Sequence, residues 1–233
     1  MRVYDPAYAY ELAVIIKDGL KVMLDEDRDV FYYLTLYTEN YQMPAMPAGV
    51  EEGIVRGIYR VRRAEGDFAH RAQLLGSGVA VREVVHASDI LAERFGVGAD
   101  VWSVTSYQQL RADGLAAERW NRLHPAEPPR VPYVTLQLAG VPGPVIAATD
   151  YVKSVPEMVA RFVPQGITPL GTDGFGLSDT RAALRRHFEV DAEHIVVATL
   201  AALARSGAVP ADLAASAIIG LGLDPDHPDP VSR

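Results

Sequence analysis

The stretch from Ala72 to Thr105 constrains this chain more than any other. Ala72-Gln-Leu-Leu75 reads as a short strand, Val79 to Phe95 as a helix stopped by Gly96, and Asp100 to Thr105 as a second strand. A helix between two strands is a crossover connection, so the strands run parallel with a right-handed link. The rhythm continues with Val145 to Thr149, introduced by the turn Gly140 to Pro144. Asp191 is placed to cap a long helix ending at Gly207, and Pro210 to start a last helix running to about Leu221. Strands alternating with helices define an α/β domain of three layers around a mostly parallel sheet. The proline-rich tail from Asp224 to Arg233 should fray.

The N-terminal part has a different texture. From Ala7 to Leu24 the apolar residues Leu12, Ile15, Ile16, Leu20 and Met23 recur at helical steps. Val30 to Tyr37 reads as a buried strand, 38–49 as a loop hanging from its end, and Glu51 to Tyr59 as a short helix. Arg60 to Asp67 reads as a linker. We therefore place a domain boundary there, dividing residues 1–66 from residues 67–233.

Thirty acidic against 22 basic residues give a net charge of −8, which offers no field for nucleic acid or an anionic membrane. The chain has no cysteine, which excludes disulfides, zinc thiolates, iron–sulfur clusters and thiol nucleophiles. Ile195 to Ala204 is the longest apolar candidate and is about half of the ~20 residues that a membrane span needs. The N-terminus lacks the pattern of a signal peptide, so a soluble cytoplasmic protein is expected.

Three motifs carry possible chemistry. Gly76-Ser77-Gly78 sits between strand and helix, but Val81 replaces the third glycine of the dinucleotide fingerprint, so a tight turn is the favoured reading. Gly171 to Ser178 is a glycine-dense turn feeding a helix from Ser178 to Phe188. Its free amides could hold an anion, but a turn with two glycines at positive φ and Phe175 in the core is favoured. His187 and His194 lack the flanking carboxylates of a metal site. In the 38–47 loop, Glu39, Tyr41 and Gln42 place a carboxylate, a phenol and an amide after a strand.

Taken in order, Ala9-Tyr-Glu-Leu-Ala-Val-Ile-Ile-Lys-Asp-Gly-Leu20, Glu39-Asn-Tyr-x-Met-Pro-Ala-Met-Pro47, Leu74-Leu-Gly-Ser-Gly78, Ser103-Val-Thr-Ser106, Glu118-Arg-Trp-Asn-x-Leu-His-Pro125 and Gly171-Thr-Asp-Gly-Phe-Gly176 form a specific series. The series resembles the C-terminal part of the bacterial homodimeric-type pyruvate dehydrogenase E1 component, from about Tyr4 to Leu223. The Phe175-Gly176-x-Ser178 turn also resembles the wider transketolase group.

The resemblance implies a transketolase C-terminal-like domain behind the end of a pyrimidine-binding middle domain. It implies an enzyme that uses thiamine diphosphate and Mg²⁺ to decarboxylate pyruvate and passes the two-carbon unit to the lipoyl group of the E2 dihydrolipoamide acetyltransferase. The implied partners are the upstream E1 region, a second E1 subunit and E2. The family's Gly-Asp-Gly to Asn-Asn diphosphate and magnesium motif has no counterpart here. The nearest Gly-Asp pair, Gly66-Asp67, runs into Phe68, and the only asparagines are Asn40 and Asn121. No cofactor or metal is therefore expected for this chain alone, and the isolated chain is expected to be inactive. A non-enzymatic dimerisation or docking module is the alternative. By the resemblance, Glu39, Tyr41 and Gln42 lie near the active-site entrance. Several relatives carry histidine where this chain has Gln42, which hydrogen-bonds but does not titrate.

Overall fold

The computed structural model describes residues 1–232. The N-terminal part contains β1 (Arg2–Tyr4), α1 (Ala9–Leu20), β2 (Tyr32–Leu34) and α2 (Glu51–Arg56). Then follow β3 (Tyr59–Arg62), β4 (His70–Gly76), α3 (Ala80–Phe95), β5 (Val97–Ser103), α4 (Tyr107–Leu123) and α5 (Tyr133–Leu138). The chain continues through β6 (Val145–Ala148), α6 (Ser154–Glu157), β7 (Thr168–Leu170), α7 (Arg181–His187), α8 (Ala192–Arg205) and α9 (Ala211–Gly220).

Five strands form the main sheet in the order β3-β5-β4-β6-β7, all parallel except β3, which runs antiparallel to β5. Because side chains alternate across a strand, neighbouring residues feed opposite cores. Leu74, Val101 and Ile146 meet Val84 and Leu91 of α3 and Ile195 and Leu200 of α8 on one face. Leu75, Trp102 and Ala147 meet Leu110 of α4, Leu138 of α5 and Phe162 on the other. These are the three layers that the strand and helix rhythm implies. Helix α3 buries Ala80, Val84, Ala87 and Leu91, a stripe at helical spacing, and Gly96 ends it in a left-handed conformation. Asp191 caps α8 as expected, its side chain accepting from the His194 amide.

Several expectations need correction. The strand expected over 30–37 is only three residues long and pairs with β1 alone, so Phe31 stays 62% exposed and Tyr33 and Leu36 are exposed too. On α1, Ile15 is fully buried, whereas Ile16 and Leu20 face outward. The supposed linker from Arg60 begins as strand β3, held at the sheet edge by its pairing with β5 and by the Arg60–Asp100 ion pair. In the 171–178 turn only Gly174 takes positive φ. Phe175, expected in the core, is 85% exposed. The chain approaches the backbone at Tyr151 so closely at Gly171 that a Cβ there would lie 2.5 Å from the Tyr151 carbonyl, and beyond that point it swings outward. Helix α7 accordingly starts late, at Arg181, capped by the Thr180 hydroxyl. Of the tail expected to fray, Pro230 and Val231 lie against Gly174, and the last residue is outside the described ones.

Candidate functional site

Strand β4 lies between β5, which follows it, and β6, which comes later, so the direction of winding reverses there. Crevices at the C-terminal ends of strands at such a switch point are where open α/β sheets bind ligands. Here Gly76 leads into Ser77 and Ala148 into Thr149, and the Ser77 hydroxyl donates to Thr149 Oγ1 at 2.9 Å. The N-terminal part docks on this edge. The Asp5 amide donates to the Thr105 carbonyl at 2.8 Å, and the Gly78 amide donates to the Asp5 carbonyl at 3.1 Å. Gly78 takes φ +51, and a Cβ there would lie 2.7 Å from the Asp5 carboxylate, so the Gly-Ser-Gly turn lets two chain segments approach closely.

A second anchor is Glu11 in the first turn of α1. Its carboxylate is fully buried and accepts from the Ala7 amide at 2.5 Å, the Tyr8 amide at 3.0 Å, the Tyr59 hydroxyl at 2.6 Å and the Ser103 hydroxyl at 2.7 Å. Burial pushes its pKa up and these bonds oppose the shift.

The 38–47 loop packs over α3 and α7. Glu39 Oε1 meets Arg82 at 2.5 Å, and Glu39 Oε2 meets Arg185 at 2.6 Å and Arg181 at 3.8 Å. Arg185 also pairs with Glu83 at 3.2 Å. The hydrogen bond from Arg185 is the main reason that the Glu39 carboxyl lies below the usual carboxylate range. Tyr41 donates its hydroxyl to the Ala7 carbonyl, and the Arg82 guanidinium stands 4.8 Å above its ring. Burial pushes the Tyr41 phenol up. Gln42 is exposed. The structure thus brings Glu39 and Tyr41 together around Arg82 and leaves Gln42 outside.

Beside them is a cleft of about 260 Å³ lined by Tyr37, Glu39, Asp150, Thr172, Arg181 and Arg185, among others. Burial raises Asp150 in its wall, opposed by Arg185 and aided by Glu39. Sequence reading missed Arg82, Arg185 and Asp150, because the Glu39 contacts span 43 and 146 residues. The Arg181 and Arg185 pair, four apart on a short helix, was the one local signal.

Among the described residues no group of three or more His, Cys, Asp or Glu is placed to hold a metal ion. No helix among the described residues is long and apolar enough to cross a membrane.

The sheet order, the docked N-terminal part and the crevice together define a transketolase-like C-terminal unit. The family model described as "Transketolase-like TK C-terminal domain" matches residues 57–191, and the chain belongs to that family. The model for the middle domain of the pyruvate dehydrogenase E1 component matches residues 1–44. Over almost all of its length the chain is similar to pyruvate dehydrogenase E1 components and corresponds to their C-terminal portion. It is 52% identical to that of Pseudomonas aeruginosa over 99% of the chain and 26% of the relative, and 51% identical to that of Escherichia coli over 97% and 26%. The chain spans about a quarter of the length of these curated relatives. Transketolases share the fold. That of Leishmania mexicana aligns with TM-score 0.59 at 20% identity over 88% of this chain and 25% of that one. A Pichia stipitis transketolase aligns with TM-score 0.60 at 18% identity over the same shares.

Proposed function

We propose that this chain works as the C-terminal portion of a pyruvate dehydrogenase E1, in an assembly with the upstream E1 region and a second E1 subunit. In that assembly pyruvate is decarboxylated with thiamine diphosphate and Mg²⁺, and the acetyl unit passes to the lipoyl groups of E2 in the cytoplasm. The observation that carries this reading is identity near one half along virtually the whole chain to E1 components. Residues 1–66 act as the end of the middle domain and 67–233 as the C-terminal domain, with β3 reaching across the division to pair with β5.

The role of the chain's own residues follows from the latch at Glu39. A carboxylate held by three arginines stays ionised near neutral pH and is a poor proton shuttle. We assign Glu39 to holding the loop in place, with Tyr41 pinned beneath it and Gln42 presented outward as a hydrogen-bonding group at the active-site entrance.

The test is assembly. The chain is mixed with the upstream region of an E1 relative, and pyruvate-dependent reduction of an artificial electron acceptor is followed. The isolated chain should show no thiamine diphosphate binding and no turnover, and the mixture should recover turnover. Magnesium-dependent decarboxylation by the pure chain, or a stable mixture that stays inactive, overturns the reading.

A further inference from the structure

Strand β2 pairs with the parallel strand β1, and no strand among the described residues pairs with its other edge. The Arg2 amide donates to the Phe31 carbonyl at 2.9 Å, and the Thr35 amide donates to the Tyr4 carbonyl at 3.1 Å. Successive residues of a strand turn their backbone groups to opposite edges, so Phe31, Tyr33 and Thr35 bond toward β1. The N–H and C=O groups of Tyr32 and Leu34 therefore point outward.

The other sheet edges among the described residues are filled or guarded. On the far side of β1 the Ser106 hydroxyl donates to the Val3 carbonyl at 2.5 Å, and the Val3 amide donates to Gln108 Oε1 at 3.4 Å. In the main sheet, edge strand β3 carries Arg60 and Arg62, and edge strand β7 is centred on Pro169. Charges and prolines of this kind keep further strands from adding. Val30 to Tyr37 contains no charged residue, no proline and no glycine. Tyr32 and Leu34 pack on the N-terminal core, whereas Phe31 is 62% and Tyr33 57% exposed.

An extended, uncharged strand fits such an edge, and in a solution of the chain alone the same edge of a second copy is one. A two-fold axis through Tyr33 sets the two strands antiparallel, with Tyr32 of each copy opposite Leu34 of the other. The outward N–H groups of both copies then all meet outward carbonyls. Tyr33 faces its own counterpart across the axis, Phe31 faces Thr35, and Asp29 falls opposite Tyr37, so no like charges meet. The exposed parts of the Phe31 and Tyr33 rings bring together roughly 400 Å² of apolar surface over the two copies. With the backbone of both strands the contact approaches the ~1,200 Å² at which specific interfaces begin, which makes this a weak dimer.

We infer that two copies of this chain join edge to edge through β2, antiparallel about Tyr33, so that their small N-terminal sheets become one continuous sheet. The inference concerns the chain by itself and does not rest on the assignment to E1.

The chain has no cysteine, so a single introduced thiol reports on the contact. Tyr33→Cys places two Cβ atoms about 4.5–5.5 Å apart across the axis, close to the span of a disulfide. Under mild oxidation it should form a covalent dimer at least about tenfold faster than Phe175→Cys, whose site on the 171–178 turn is more exposed. Tyr33→Lys puts a guarding charge on the edge. It should sediment as a monomer at concentrations where the wild type is dimeric, with an unchanged melting temperature because the side chain it replaces is exposed. In the wild type, the Tyr32 and Leu34 amides should gain protection from hydrogen exchange as concentration rises. A wild-type chain that stays monomeric overturns the inference, as do equal crosslinking rates or a dimer that survives Tyr33→Lys. Protection of Tyr32 and Leu34 that appears only when the upstream E1 region is added gives the edge to that region and overturns the self-pairing as well.

Discussion

Replacing Glu11 with alanine tests how the N-terminal part is fastened to the sheet. The wild-type carboxylate is fully buried and accepts four hydrogen bonds, two from the amides that open α1 and two from hydroxyls on β3 and β5. Alanine removes both acceptor oxygens and so strips four donors of their partner at once. A buried donor left unpaired costs ~1–3 kcal/mol, and breaking a buried charged network costs ~3–5 kcal/mol. The Tyr59 hydroxyl can still turn toward Tyr10, whose oxygen is 2.6 Å away, so one of the four losses is softened. The expected loss is therefore about 4 kcal/mol, a large share of the ~5–15 kcal/mol that holds a typical domain folded. With a urea slope of ~2–3 kcal/mol per molar, the unfolding midpoint should fall by roughly 1.5 M. Hydrogen exchange should also accelerate in α1 and β1 more than in β4 and β6, since only the N-terminal side loses its anchor. A midpoint shift worth less than ~1 kcal/mol, or exchange rising equally throughout, would refute the reasoning, because the network would then not be fastening one part to the other.

Other outcomes follow from the same geometry. Glu39→Gln should cost about 1–2 kcal/mol, discounted because Arg181 and Arg82 are partly open to water, and should speed exchange over 38–47. Since the folded Glu39 carboxyl is held low, its contribution is present above the ordinary carboxylate range and lost as pH falls through the lowered value. Wild type and variant should therefore converge in acid, and a gap that persists there contradicts the ion pairing. Gly143→Ala should destabilise by more than ~3 kcal/mol, because φ is +88 and the new Cβ would sit 1.7 Å from the Arg71 carbonyl. Gly207→Ala, at φ +74 with nothing within 4 Å, should cost only ~1 kcal/mol in the same melts, and similar losses at the two sites would sink the steric account. Finally, Leu20, Leu24, Phe31, Leu36, Met43 and Met46 are exposed on the N-terminal part, so the chain should self-associate or need a partner at micromolar concentration. Sedimentation of a well-behaved monomer with 1–66 fully protected from exchange would count against that.

The parallel sheet, the α3 stripe, the Asp191 cap and the turn at Gly140 to Pro144 were legible because each is written locally, as a period of 2 or 3.6 or as a capping residue at a fixed offset. The family resemblance was likewise legible from runs of adjacent residues. The elements missed were those with little local pattern. Strands β1 and β7 are three residues each and exist because a neighbouring strand offers hydrogen bonds. Strand β3 looked like a charged linker because its arginines answer Asp100 and the backbone of α3, which lie 23 to 40 residues away. Phe175 was assigned to the core on hydrophobicity alone, whereas the close approach at Gly171 fixes the direction of the turn and sends the ring outward. At the site, the types of Glu39 and Tyr41 could be read from the sequence, but not what they do. Three arginines from α3 and α7 turn Glu39 from a free carboxylate into a latch. Local order needs only neighbours along the chain, whereas charge state and satisfaction depend on what is folded against a group, and at Glu39 that is set by contacts across 43 and 146 residues.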